Sequence, residues 1–155
     1  MNDEAIAYMA IDRLLRRYAD LCTRRTYHEL VSLATPDAVF TFEAFSGQRF
    51  EVEGTQDFID FATKMVGGFS FYEYATLNFV VDFGGEGTAR GRVYNLELAY
   101  EAETDEFTNF YGQYDDEYVQ LDGRWCFARR HYRTVARRTN DRLDLSPVGF
   151  SRGPA

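Results

Sequence analysis

The chain is 155 residues long, 17% aromatic, and carries a formal net charge of −8. That length suits one domain with a sizeable core. The acidic balance disfavours nucleic acid, whose phosphates need clustered positive charge, because each arginine pair (Arg16-Arg17, Arg24-Arg25, Arg129-Arg130, Arg137-Arg138) is offset by nearby acids.

No run approaches the ~20 apolar residues of a membrane span, and residues 1–25 mix charges throughout, so neither a membrane partner nor a secretion signal is expected. Cys22 and Cys126 lie far apart in apolar surroundings and read as buried thiols of a cytoplasmic protein. All but one of the 17 basic residues are arginine, a bias that hints at a bacterial source.

Residues Glu4 to about Arg25 read as an amphipathic helix, with Ile11, Leu14, Leu15, Tyr18, Leu21 and Cys22 at helical spacing. His28 to Ala34 reads as a short second helix stopped by Pro36-Asp37. Ala38 to Phe45 reads as a strand, Gly47 as a turn, and Arg49 to Glu53 as a short return strand. Thr55 is placed to cap a third helix that ends near Val66, before Gly67-Gly68. Four long strands follow: Phe71–Phe83, Thr88–Glu101, Phe107–Leu121 and Arg124–Arg137. Gly-rich or Asp-Gly turns join them. Residues 138–155 read as a tail that folds over the domain and its pocket. Helices followed by a meander of long strands is an α+β plan, with the sheet curled around the first helix. Residues 1–137 then form one domain.

The opening Ile11-Asp12-Arg13-Leu14-Leu15-x-x-Tyr18-Ala19 carries a resemblance. So do the Pro36-Asp37-Ala38-Val39-Phe40 step, Gly54 before the third helix, Asn78, and the closing Asp122-Gly123-Arg124-Trp125. Over residues 5–137 the chain resembles the SnoaL-like branch of the NTF2-like superfamily. The resemblance implies a cone in which a curved sheet wraps a long N-terminal helix and two shorter helices. It also implies a cofactor-independent protein that assembles as a homodimer, sheet to sheet. Members include polyketide cyclases, scytalone dehydratase, bile-acid dehydratase, a dehydrochlorinase, ketosteroid isomerase, epoxide hydrolase and non-enzymatic proteins, so the fold does not fix the reaction.

Dehydratase-like members carry an aspartate five residues after the position of Tyr18, where this chain has Thr23. They carry a histidine four residues before the position of Asn78, where this chain has Tyr74. A second histidine would fall near Ala99. The acid/base pair of such relatives is therefore absent. Tyr18, Asn78, Tyr114 and Arg130 remain. Arg130 matches a basic residue that stabilises a leaving group or anion in dehydrochlorinase-like relatives.

Strand alternation sorts residues by face. If Arg130 and Tyr132 face a cavity, Cys126, Ala128 and Thr134 do as well, while Trp125, Phe127 and His131 face away. Phe110, Gly112, Tyr114, Asp116 and Tyr118 share the inner face of the preceding strand, and Val93, Asn95, Glu97 and Ala99 that of the strand before it. Tyr74, Thr76 and Asn78 join them, with Phe42 from the strand after Pro36 and Tyr18 and Cys22 from the helix. Phe42, Tyr74, Phe110 and Tyr114 are expected to line one apolar pocket.

Glu97 is the sharpest feature, a carboxylate among inward residues. Desolvation raises such a group's pKa and a nearby arginine lowers it, which suits general acid or base work near neutral pH. Its other reading is a structural bridge to Arg92 or Arg130, or a solvent-facing side chain if a bulge shifts the register. Glu97, Tyr74, Arg130 and Tyr18 are the catalytic candidates. Phe42, Thr76, Asn78, Asn95, Phe110, Tyr114, Asp116 and Tyr132 are the substrate-binding ones. Each tyrosine reads either as wall or as proton donor, and Arg130 either as a ligand contact or as the counter-charge of a carboxylate. Asp20 suits a solvent ion pair with Arg16, His131 the convex face or a dimer contact, and His28 an exposed loop.

Two histidines on different elements make no metal set, and no phosphate loop or nucleophile elbow appears. The expected function is proton transfer without a cofactor on a hydrophobic, polycyclic or polyketide-like small molecule, as in secondary metabolism. The alternative is a small-molecule binding protein without turnover. An outward patch of Trp125 and Phe127, with Tyr111 and Val119, is the expected dimer contact.

Overall fold

The computed structural model describes residues 3–147, 149 and 150. It is an α+β fold with helix α1 (Asp3–Arg24), a short 3-10 helix (Tyr27–Ser32), β1 (Ala34–Glu43), β2 (Arg49–Glu53), α2 (Thr55–Gly67), β3 (Phe71–Phe83), β4 (Thr88–Glu101), β5 (Glu106–Leu121), β6 (Arg124–Thr139) and β7 (Arg142–Leu145). The strands form one mixed sheet in the order β2-β1-β6-β5-β4-β3. β1 runs parallel to β6 and every other pair is antiparallel. β6 is long enough to serve two neighbours. Its first part pairs with β1, and Ala136–Thr139 pairs with β7.

The apolar stripe of α1 is buried as its spacing requires: Ile11, Leu14, Leu15, Tyr18, Leu21 and Cys22 all lie in the core. Its outer face is laced by ion pairs. Arg16 bonds Asp12, and Asp20 bonds Arg24 rather than Arg16. The second helix is a 3-10 turn, and β1 begins at Ala34 and runs through Pro36. Pro36 is accommodated because the register against β6 breaks between Ala34 and Val39, so no ladder N–H is needed there. Thr55 does not cap α2. Gly54 holds the cap position at φ 93°, and the Thr55 hydroxyl donates to the Thr35 carbonyl at 2.6 Å, tying α2 to the irregular start of β1. Phe58 of α2 then stacks on Phe40 of β1, centroids 3.9 Å apart.

Three bulges decide which side chains face α1. On β3 the ladder to β4 skips Leu77. On β6 the ladder to β5 skips Ala128 and again Val135. Each extra residue reverses the alternation beyond it. The bulge at Ala128 puts Phe127 on the concave side with Arg130. Phe127 is fully buried and packs edge-on to Tyr18. Trp125 follows it inward and meets Phe83. The outward patch of Trp125 and Phe127 therefore does not exist. His131 does face outward, where Nε2 lies 2.9 Å from a Glu43 carboxylate oxygen. His28 is exposed. At the C-terminal end, Arg142–Leu145 is a strand, and Phe150 packs edge-on to Tyr94.

Candidate functional site

Between α1, α2 and the concave face of the sheet lies a cavity of about 480 Å³. That is the size of a small-molecule site. Tyr18 and Cys22 come from α1, Phe58, Phe61 and Ala62 from α2, and Phe42 and Phe45 from the end of β1 and the turn after it. Phe42, Tyr74, Phe110 and Tyr114 all line it, with Tyr132 beside them.

The sheet contributes its polar groups in one row. Tyr74 on β3 pairs with Glu97 on β4, Glu97 with Phe110 on β5, and Phe110 with Arg137 on β6. Four consecutive strands thus aim Tyr74, Glu97, Phe110 and Arg137 at one space, and all four line the cavity. Arg137 was not expected there. Alternation from Thr134 turns it outward, and only the bulge at Val135 brings it in.

Glu97 lies deep inside the molecule with part of its surface open to the cavity. The Tyr72 hydroxyl donates to Oε2 at 2.7 Å, and the Asn95 amide donates to Oε1 at 3.0 Å. Among the described residues Glu97 makes no ion pair, so neither Arg92 nor Arg130 bridges to it. Burial raises its pKa above the ordinary carboxyl value, and hydrogen bonds from Tyr72, Asn95 and Tyr132 offset part of that rise. Close approach of β5 keeps this network tight. A Cβ on Gly112 would run into the Tyr132 ring and the Asn95 side-chain oxygen.

The Tyr74 hydroxyl is buried and, among the described residues, has no partner at full hydrogen-bonding geometry, with the Tyr114 hydroxyl its polar neighbour. Burial pushes its pKa up, so it stays a proton donor. Its backbone is fixed from α1: the Thr23 hydroxyl accepts from the Tyr74 N–H at 3.0 Å and lies 3.3 Å from its carbonyl. The two positions where the resemblance led one to look for an aspartate and a histidine are thus neighbours, occupied by a hydroxyl and a phenol. Cys22 also lines the cavity, with its thiol pushed up to about 12 by burial.

Arg130 does not reach the cavity, which corrects its assignment as a catalytic or ligand-contacting residue. Its side chain is 1% exposed. Nε and one terminal nitrogen donate to the two Asp116 oxygens at 2.9 and 3.0 Å. Tyr118 donates to the same carboxylate at 2.8 Å. The guanidinium carbon sits 4.2, 4.0 and 4.2 Å from the ring centres of Tyr18, Tyr114 and Phe127. Burial works against its charge, but Asp116 and the surrounding phenols outweigh it and hold the pKa well above the ordinary value. Asp116 is consumed by this pair and is likewise no ligand contact. The pair stands behind the cavity and props the Tyr18 and Tyr114 rings that form its wall. Three further assignments are corrected. Asn78 is exposed, turned outward by the bulge at Leu77, and Thr76 is half-buried but off the cavity. Asn95 touches Glu97 rather than the open space.

Among the described residues no cluster of histidine, cysteine and carboxylate side chains could hold a metal ion, and no helix is long and apolar enough to cross a membrane.

Residues 3–131 match the SnoaL-like domain family. The chain belongs to that family. No curated protein matches it. Among solved structures it resembles a protein of Novosphingobium aromaticivorans DSM 12444 named for scytalone dehydratase. The TM-score is 0.81 at 23% identity, covering 96% of this chain and 97% of the other. It resembles the Kfla4162 protein of Kribbella flavida with a TM-score of 0.78 at 19% identity, covering 88% and 95%. It also resembles the hexachlorocyclohexane dehydrochlorinase LinA-type3 of Novosphingobium barchaimii LL02, with a TM-score of 0.74 at 20% identity, covering 97% and 98%. At these identities the likeness is one of fold.

Proposed function

We propose that this SnoaL-like protein catalyses proton transfer, without a cofactor, on a flat hydrophobic small molecule of polycyclic or polyketide-like skeleton. One observation carries the reading. Glu97 is a carboxyl group inside an aromatic-walled cavity whose hydrogen-bond partners are all neutral. A carboxyl with a raised pKa and no counter-charge can take up and return a proton near neutral pH.

Glu97 removes a proton from a carbon next to a carbonyl. Tyr74, directly opposite it in the ladder, donates a hydrogen bond to the oxygen on which negative charge collects. The carbanion then takes the proton back at another carbon, which is isomerisation, or expels a leaving group, which is elimination. It can also attack a second carbonyl of the same molecule, which is cyclisation, with the Glu97 proton passing to the new alkoxide. Tyr72 and Asn95 hold the carboxyl in place. Phe42, Phe110, Tyr114, Tyr132 and Tyr18 supply the flat walls. Arg130 acts only by supporting those walls.

The test is exchange of acidic C–H protons of a bicyclic ketone such as 1-tetralone in deuterium oxide, followed by proton NMR. The native protein is expected to accelerate exchange. Glu97→Gln should slow it roughly 10²–10⁴-fold with ketone affinity unchanged. A ketone held in the cavity but exchanging no faster than in solvent alone would establish a binding protein without turnover.

A further inference from the structure

Arg137 closes the row that begins at Tyr74, and its charge is only half spent. It is the sole cation among the described residues that line the cavity. Among the described residues its Nε is buried with no hydrogen-bond partner. A terminal nitrogen lies 3.5 Å from Asp144 on β7, but Asp144 also receives Arg142 at 3.0 Å. Two guanidinium groups therefore share one carboxylate, leaving one positive charge over at the mouth of the cavity. Of the other lining carboxylates, Glu97 makes no ion pair among the described residues, and Glu43 is turned to His131 and to Arg133, which is also paired with Asp115, and not to Arg137. The Arg137 guanidinium is steadied at 5.0 Å from the Phe45 ring centre, so its position is set before any ligand arrives.

Resting on the reading of this cavity as the substrate site, we infer that Arg137 selects substrates bearing a carboxylate, or an equivalent anionic oxygen group, at the end away from the reacting carbon. Arg137 and Glu97 stand on either side of Phe110 in the ladder. Their backbones are two strand spacings apart, roughly 10 Å. A planar skeleton of two or three fused rings spans that gap, with its faces against Phe42, Phe58, Phe110 and Tyr132. The anionic end meets the part-exposed Arg137 guanidinium, whose ion pair with Asp144 is long at 3.5 Å. The uncharged end meets Glu97 and its neutral partners, where a second anion would be repelled. The polar ends of the cavity therefore fix the ligand's direction as well as its class.

The probes are 2-naphthoate and its neutral counterpart 2-naphthamide, with dissociation constants measured by titration calorimetry. The native protein should prefer the carboxylate by roughly tenfold to a hundredfold, the worth of a charge-assisted hydrogen bond. Arg137→Met should abolish that preference while leaving the amide's affinity as it was. Asp144→Asn frees Arg137 from its carboxylate and should strengthen naphthoate binding several-fold. A purely structural Arg137–Asp144 bridge predicts no such gain. Equal affinity for the two probes in the native protein overturns the inference. So does a preference that survives Arg137→Met, or no binding of either compound. These are equilibrium measurements, and in Glu97→Gln the preference should persist. Failure here is thus separable from failure of the proton-transfer reading, which the exchange rates alone decide.

Discussion

Glu97 ties its own titration to the stability of the fold. Burial among neutral partners raises its pKa in the folded state. A group with a raised folded pKa binds its proton more tightly when folded. Its stabilising contribution is fully present below the unfolded value, about 4.3, and is lost as pH rises through the folded value. Glu97→Gln removes that titration. The groups that feel the Glu97 charge, the Cys22 thiol and the buried tyrosines, are all pushed up by burial and stay protonated through the acid and neutral range, so they do not disturb the comparison. The glutamine can accept from the Asn95 amide and donate to the Tyr72 hydroxyl, and any cost of that exchange is constant with pH. The expected outcome is a trend: the midpoint of Glu97→Gln rises relative to the native protein as pH climbs from about 4.3, the unfolded value, through the raised folded one. Thermal unfolding of both proteins across that range measures it. A difference that stays flat with pH would show that Glu97 ionises as freely inside the fold as outside it.

At the scale of the strand, Gly112 matters for what it lacks. A methyl group there would collide with the Tyr132 ring and the Asn95 side chain, and Asn95 holds Glu97. Both neighbours sit on strands flanking β5, so neither can give way without moving its ladder. Gly112→Ala should cost roughly 1–3 kcal/mol, the usual range for overpacking, read from urea unfolding. It should also weaken cavity ligands more than that loss alone explains, because the displaced Tyr132 is part of the wall. An unchanged midpoint and affinity would mean the two side chains relax freely.

Strand bulges also mark where the sequence stopped being readable. The elements were visible in the patterning: the helical stripe of α1, the long alternating strands, the Asp-Gly turn at Asp122-Gly123. Glu97, Tyr74 and Phe110 were placed correctly on one face because no bulge lies between them. Phe127 and Asn78 were misplaced, and Arg137 was not named, because each lies beyond a bulge. Residues such as Ala128, Leu77 and Val135 carry no glycine or proline to announce an extra position. Whether Arg130 answers Asp116 or a ligand depends on the three rings that enclose it, which come from α1, β5 and β6 and share no local pattern.

For the molecule as a whole, the cavity is a cost that a ligand can remove. Helices and sheet enclose about 480 Å³ that the chain itself leaves unfilled. A ligand that binds only the folded state stabilises it by about 2.7 kcal/mol at a concentration one hundred times its dissociation constant. For a domain of this size that is a rise of roughly 5–10 °C in the unfolding midpoint. Ala62 offers a way to fill the same space from within the chain. It is buried on α2, lines the cavity, and tolerates a larger residue without breaking the helix. Ala62→Phe should keep the native midpoint within a few degrees, since the added ring enters open volume instead of packed core. The same variant should lose the shift that 2-naphthamide gives the native protein. Differential scanning calorimetry with and without the amide reads both quantities. A large drop in the midpoint would mean that α2 and the sheet are already in contact at Ala62. A surviving ligand shift would put the amide somewhere other than the space between α1, α2 and the row from Tyr74 to Arg137.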